Sequence, residues 1–328
     1  GMLSIGSFVA TIEYLNMMVW PLIAMGLVVS NFQRGISSMA RLNEIFRVRP
    51  TVQEVKNPAD PQKSEGHIVF RHVSFRYGED LPWVLRDINF ELQPGHSLAV
   101  VGRTGVGKST ILHLLLRRYD VTEGEILVDG TDIRQMSFEA LYRTFGVVAQ
   151  ESFLFSRTIG GNIAFGGEEE NMDEVHDAAR FAQVHDDIIA MKQGYETVVG
   201  ERGVTLSGGQ KQRVSIARAY YKKAPVLVLD DALSAVDTET ESHLLAGLRR
   251  HRQGLLMISQ RVSTVQNADD IIVLEDGKIT QRGTHEALVQ EDGFYQELYH
   301  RQLLESQVNT AEADDQGQTA AAVRGEEA

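Results

Sequence analysis

One stretch constrains this chain more than any other: SLAVVGRTGVGKST, residues 97–110. An apolar run that reads as a buried strand leads into a glycine loop, and STILHLLLRRY after it has the spacing of an amphipathic helix. The loop satisfies G-x-x-x-x-G-K-[ST] through Gly102, Gly107, Lys108 and Ser109, with a further glycine at 105. Glycines let backbone N–H groups turn inward around phosphate oxygens, where side chains would block them. Lys108 adds a point charge directed at the outer phosphates, the Ser109 hydroxyl suits a magnesium ion, and the helix offers its positive end to the anion. Gly102, Arg103, Thr104, Gly105, Val106, Gly107, Lys108, Ser109 and Thr110 are therefore the candidate phosphate cradle.

Around this loop the chain reads as α/β. HIVFRHVSFRY, WVLRDINFEL, SLAVVG, FGVVAQ, VLVLD, GLLMIS and DDIIVLE are strand-like, and helical stretches alternate with the later ones. That alternation predicts a mostly parallel sheet with helices on both faces. Asp129-Gly130 and Asp276-Gly277 predict hairpin turns in smaller antiparallel pieces, and Pro94-Gly95 a further turn. The 328 residues suffice for one large or two modest domains. With no cysteine, disulfides, cysteine-ligated zinc and thiol catalysis are excluded. A formal charge of −13 argues against a nucleic-acid partner, which needs a basic stripe.

Residues 14–33, YLNMMVWPLIAMGLVVSNFQ, carry no charge. As a helix, twenty such residues span about 30 Å, the thickness of a bilayer core. Pro21 within the run costs about 3 kcal/mol in a soluble helix but is tolerated in a membrane. A buried helix of a soluble domain is the plainer alternative. A signal peptide fits poorly, because the basic residues Arg34, Arg41, Arg47 and Arg49 follow the run rather than precede it. That flank places the C-terminal side of a membrane helix in the cytoplasm. Gly1 and Met2 carry no weight in the fold. The expected organisation is the end of a membrane domain over 1–35, with lipid against 14–33, and a linker over 36–65 whose last part is proline-rich and polar. A globular domain over 66–305 and a disordered acidic tail over 306–328 complete it.

The stretch LSGGQKQRVSIARAYYKKAPVLVLDD, 206–231, narrows the reading. Ser207 is a good helix N-cap, and Gly208 and Gly209 expose N–H groups at a helix head, a second phosphate cradle. LSGGQ about a hundred residues after the phosphate loop, then a helix, then a strand ending in acid, resembles ATP-binding cassette (ABC) proteins, and the likeness runs from residue 1 to about 303. The resemblance implies a P-loop, RecA-like ATPase core with an antiparallel β subdomain and an α-helical subdomain at about 155–222, preceded by one transmembrane helix. It implies ATP and Mg²⁺ as cofactors. Tyr77 matches the aromatic that stacks on adenine, and Gln150 the glutamine that reaches Mg²⁺ together with Ser109 and Asp230. Leu206, Ser207, Gly208, Gly209 and Gln210 match the signature that meets a partner's ATP across a head-to-tail dimer, and Asp237 the residue that communicates with the opposite site. ESFLFSRTIGGNIAFG is similar to the segment that touches the membrane domain, and TVVGERG to a loop characteristic of exporters. A membrane helix fused ahead of the cassette, placed as the sixth and last of its domain, is the exporter arrangement. The resemblance thus implies an ATP hydrolase that drives export across the cytoplasmic membrane.

Two positions depart from the family pattern. Where a catalytic glutamate is expected after Asp230, the chain has Asp231; where a histidine is expected in ISQRVST, it has Gln260. Shortening by one methylene withdraws the carboxylate by about 1.5 Å, and a positioning error near 1 Å costs on the order of a hundredfold in rate. Glutamine bonds a γ-phosphate but cannot become cationic or relay a proton. The pattern resembles the degenerate half of a heterodimeric bacterial multidrug-type exporter: weak turnover at its own loop, an intact signature lent to a second half-transporter. Two rival readings are a non-transport ABC ATPase acting as a cytosolic switch and an ATP-binding regulatory scaffold that never hydrolyses.

Overall fold

The computed structural model describes residues 4–167, 170–200, 205–250, 253–305 and 307. Glu201, Arg202 and Gly203 of the TVVGERG loop, and all of the expected tail except residue 307, lie outside these. The chain divides into two units, residues 1–53 and 54–328.

The first unit is a single long helix, α1 (Ile5–Arg47), capped by Ser4, whose hydroxyl accepts from the Ser7 N–H at 3.2 Å. None of its residues is buried, and it contains Pro21. It is the one described helix long and apolar enough to cross a membrane. The helix continues past residue 35, where the uncharged run had set the expected boundary. The segment from Gly35 to Arg47 holds no proline, so a change in polarity does not end the backbone ladder.

The second unit has two sheets. Strands β1 (Ile68–Phe75), β2 (Leu85–Leu92), β4 (Glu123–Val128) and β5 (Thr131–Asp132) make an antiparallel sheet in the order β2-β1-β4-β5. Strands β3 (Ser97–Gly102), β6 (Phe145–Val148), β7 (Val226–Asp230), β8 (Gly254–Ile258), β9 (Asp270–Glu275) and β10 (Lys278–Gly283) make the other, in the order β10-β9-β3-β8-β7-β6. Its neighbours pair in parallel except β9 with β10. The helices are α2 (Lys108–Leu115), α3 (Phe138–Thr144), α4 (Ile159–Ala164), α5 (Met172–Phe181), α6 (His185–Ile189), α7 (Gly208–Tyr221), α8 (Thr238–Arg250), α9 (Val262–Val265) and α10 (His285–Gln290). A final described helix covers 294–305. Helices α4–α7 fill the interval between β6 and β7.

The parallel strands are apolar throughout because they are covered on both faces. On β3, Ala99 and Val101 face a core shared with α4–α8, while Leu98 and Val100 face a second core shared with the antiparallel sheet and α2. β7 repeats the alternation, with Leu227 and Leu229 on one side and Val226 and Val228 on the other. Each of these leucine and valine side chains contributes about 2 kcal/mol by leaving water. The two Asp-Gly dipeptides make their turns with both residues left-handed: φ is 49° and 79° at Asp129-Gly130, and 48° and 74° at Asp276-Gly277. That is the turn whose twist matches antiparallel neighbours, and it creates β5 and β10.

The proline-rich segment is strapped to the second unit from Glu54 onward. The Glu54 carboxylate accepts from the Phe138 N–H at 2.5 Å, Ala59 bridges to Met136, and Asp60 pairs with Arg143 at 2.5 Å. The Asp129 carboxylate then accepts from the Ser64 hydroxyl and from the N–H groups of Glu65 and His67, at 2.5, 3.1 and 2.9 Å.

Candidate nucleotide-binding site

At the carboxyl ends of β3 and β7 lies a cleft of about 310 Å³, lined by Tyr77, Val84, Thr104, Gly105, Gly107, Lys108, Ser109, Thr110, Gln150, Asp230, Asp231 and Gln260. Ligands of open α/β sheets bind at this end of the strands. The loop after β3 reaches it because Gly107, with φ of 104°, turns the chain into α2; a Cβ there would stand 2.9 Å from the Leu85 side chain. Lys108 is 6% exposed. Its Nζ donates to the carbonyls of Gly102 and Arg103 at 2.8 and 2.9 Å, which folds the ammonium back under the loop and aims its remaining proton at the cleft. Burial pushes its pKa below the usual lysine value, against the pull of Asp231 and Asp230.

Asp230, 7% exposed, ends β7. Burial raises its pKa first, and the like charge of Asp231 adds to that; Lys108 and a hydrogen bond from Ser109 oppose both. At Asp230, burial and the adjacent carboxylate thus outweigh Lys108 and Ser109. Asp231 sits in a left-handed turn, φ 45°, and its N–H donates to the Ile258 carbonyl at 2.8 Å, extending the β7–β8 pairing by one bond. On the facing bend after β8, the Gln260 amide meets the Thr104 hydroxyl of the loop at 3.1–3.3 Å. Tyr77 stands at the mouth, 43% exposed, edge-on to Phe75 and Tyr119, its hydroxyl 3.1 Å from that of Thr110.

Not every residue of the cradle turns inward. The Arg103 guanidinium lies over the Phe294 ring at 5.4 Å, and Val106 packs against the second core. Val84, which lines the cleft, carries no signal in the sequence that would single it out.

None of residues 206–210 lines this cleft. Ser207 caps α7 in a reciprocal box: the Gln210 N–H donates to Ser207 Oγ at 3.2 Å, and the Ser207 N–H to Gln210 Oε1 at 3.1 Å. Leu206 is buried beneath, while Ser207 and Gly208 are exposed. Gly209 must be glycine because a Cβ would stand 2.9 Å from the Ala235 carbonyl. The buried Gln212, which sequence reasoning passed over, accepts from the Ala235 N–H at 3.0 Å and donates to Ser234 Oγ at 3.4 Å. It fastens the head of α7 to the loop that follows Asp231. Asp237 closes that loop by accepting from the Thr240 N–H at 2.9 Å, and this bond holds its carboxyl below the usual range. The segment after Gln150 is fixed to α7 as well: Arg218 donates to the Asn162 carbonyl and side chain, both at 2.9 Å, and to the Phe153 carbonyl at 3.0 Å.

A glycine loop cradling a buried lysine, opposite a strand-ending acid on a parallel sheet, defines a P-loop nucleotide-binding protein. The capped glycine pair heading α7 narrows this further: the chain carries an ABC transporter ATP-binding domain, the ATP-hydrolysing class of P-loop fold, with an apolar helix ahead of it. The ABC transporter family model matches residues 85–234. The probable multidrug resistance ABC transporter ATP-binding/permease protein YheI of Bacillus subtilis (strain 168) is 42% identical over 92% of this chain and 52% of its own length. An ATP-dependent lipid A-core flippase of Chromohalobacter salexigens is 41% identical over 92% of this chain and 52% of its own length. A solved structure of a bacterial Atm1-family ABC exporter with ATP bound superposes with a TM-score of 0.78 at 39% identity, over 92% of this chain and 53% of that one. The chain spans about half the length of the relatives it matches.

Proposed function

We propose that this chain is the ATP-binding end of an exporter subunit whose own P-loop site holds ATP and turns it over slowly, and whose signature completes a second site on a partner half-transporter. The observation that carries the proposal is a separation: the phosphate-holding side chains converge on one cleft, and residues 206–210 stand outside it. A serine-capped, glycine-headed helix that stays out of its own cleft suits a nucleotide held by another chain.

In this reading the loop 102–110 wraps the phosphates, Lys108 neutralises the outer ones, and Tyr77 stacks on the base. Ser109, Gln150 and Asp230 offer a hydroxyl, an amide and a carboxylate to one space. That all-oxygen donor set fits Mg²⁺, and the raised pKa of Asp230 is the strain that a divalent charge relieves. The ion, when bound, neutralises charge developing on the transferred phosphoryl. Asp231 stands where water must be oriented and Gln260 where the γ-phosphate must be met, each without the reach or the charge of a glutamate and a histidine. Phosphoryl transfer depends on positioning and charge, so binding survives where turnover is weak. The contacts of Arg218 and Gln212 support coupling, since they tie the segment after Gln150 and the loop after Asp231 to the signature helix. Closure of the nucleotide sandwich, passed through that segment to membrane helices including α1, would drive export across the cytoplasmic membrane.

The test is restoration. Asp231→Glu with Gln260→His is expected to raise ATP hydrolysis by the purified chain about a hundredfold, while ATP affinity changes little. Flat turnover with ATP still bound removes the degenerate-site reading. Brisk hydrolysis by the unaltered chain alone removes the need for a different partner.

A further inference from the structure

Gln260 lies on the bend between β8 and α9, and that bend is held from an unexpected direction. Arg261, at the N-cap position of α9, gives the helix no side-chain cap. The backbone groups around it are taken instead by Gln302, half-buried in the helix over 294–305. Gln302 Nε2 donates to the Gln260 carbonyl at 2.7 Å, and its Oε1 accepts from the Val262 N–H at 2.8 Å. One side-chain amide thereby closes a ring across residues 260–262. A side-chain amide presents a neutral donor and an acceptor side by side, which suits both bonds at once, and Asn would be one methylene shorter. From the other side, Arg261 Nη1 donates to the Leu233 carbonyl at 3.2 Å and Thr264 bonds the buried Glu241 of α8. With its carbonyl fixed by Gln302, Gln260 directs its own amide across to Thr104 of the phosphate loop.

We propose that Gln302 is a positioning residue for the terminal-phosphate end of the cleft: it latches the Gln260 backbone so that the Gln260 amide faces the γ-phosphate of bound ATP. The latch rests on the reading of Gln260 as a γ-phosphate contact, and ADP, which lacks that phosphate, is blind to it.

The experiment is calorimetric titration of the full chain in detergent, with magnesium, using ADP and the β,γ-imido analogue of ATP. Gln302→Ala removes both bonds. Gln302→Glu, of the same shape, keeps the acceptor for Val262 and sets a carboxylate against the Gln260 carbonyl, so it carries the test should the alanine variant fail to fold. Both are expected to lower the preference for the triphosphate about fivefold, the factor of one net hydrogen bond, with ADP affinity unchanged. Gln260→Ala is expected to do the same, and the double variant to be no worse. Equal weakening of both nucleotides, or further loss in the double variant, assigns Gln302 to general stability and overturns the latch. An unchanged preference in the Gln302 variants beside a lowered one in Gln260→Ala overturns it too, while leaving the Gln260 reading intact. If Gln260→Ala itself leaves the preference unchanged, the γ-phosphate reading fails and the latch falls with it.

Discussion

The phosphate loop and the signature are both glycine-rich turns heading helices, yet the chain builds them in opposite ways. Around Lys108 the structure is concave, and charge is buried without full compensation: Asp230 is pushed above its ordinary carboxylate value and Lys108 below its own. Around Ser207 the surface is exposed, the cap is closed on itself, and the acid at the end of the neighbouring loop, Asp237, is held below its usual range. The first region waits for a ligand that supplies missing charge. The second is already satisfied and offers only shape and N–H groups. The contrast teaches that a similar composition makes a concave, charged cleft in one place and an exposed, self-capped helix head in another, according to what the core puts behind it.

Three substitutions break or sharpen that contrast. The largest effect belongs to Lys108→Ala, expected to weaken ATP binding by about two to three orders of magnitude, as loss of a buried charge partner does. Equilibrium titration with a fluorescent nucleotide measures it, and a loss below tenfold would equate the two regions. Next is Ser207→Arg. ATP binding to the isolated chain is expected to stay within about twofold, while hydrolysis by the assembled pair falls about a hundredfold, as when oriented donors to a reacting phosphate are lost. If binding to the isolated chain falls as well, the signature serves its own cleft. The smallest effect is on stability. Because the folded-state pKa of Asp230 is raised above 3.8, the stability it contributes is full below that value and is lost as pH rises through the raised one. Asp230→Asn, without nucleotide or cation, is therefore expected to raise the thermal midpoint by a few degrees at pH 7, with the gain shrinking as pH falls toward 3.8. For Asp237 the sign reverses: its contribution is present above 3.8 and lost as pH falls. A midpoint for Asp230→Asn that does not move with pH would mean the two acids are equally at ease.

Much of this arrangement is legible in the sequence itself. The central strands announced themselves as unbroken apolar runs because each is covered on both faces, and the Asp-Gly pairs marked β5, which has only two residues, and β10, whose sequence KITQRG has no apolar run. The cradle was legible because backbone geometry demands glycine at fixed spacing. What stayed hidden depends on distant partners. Nothing local says that Arg103 turns to Phe294, that Gln212 reaches Ala235, or that Gln302 seizes the bend at Gln260. The far end of α1 was hidden for another reason: apolarity changes near residue 34, but helical hydrogen bonding has no reason to stop before Arg47.

The strap formed by residues 54–65 has a practical corollary for anyone preparing a soluble cassette. A start codon placed at Gly66, where the first strand pattern begins, would amputate the carboxylates that engage Phe138 and Arg143 and strip two donors from Asp129. Cutting ahead of Glu54 keeps that harness, and the preparation begins with its β-sheet edge and α3 already moored.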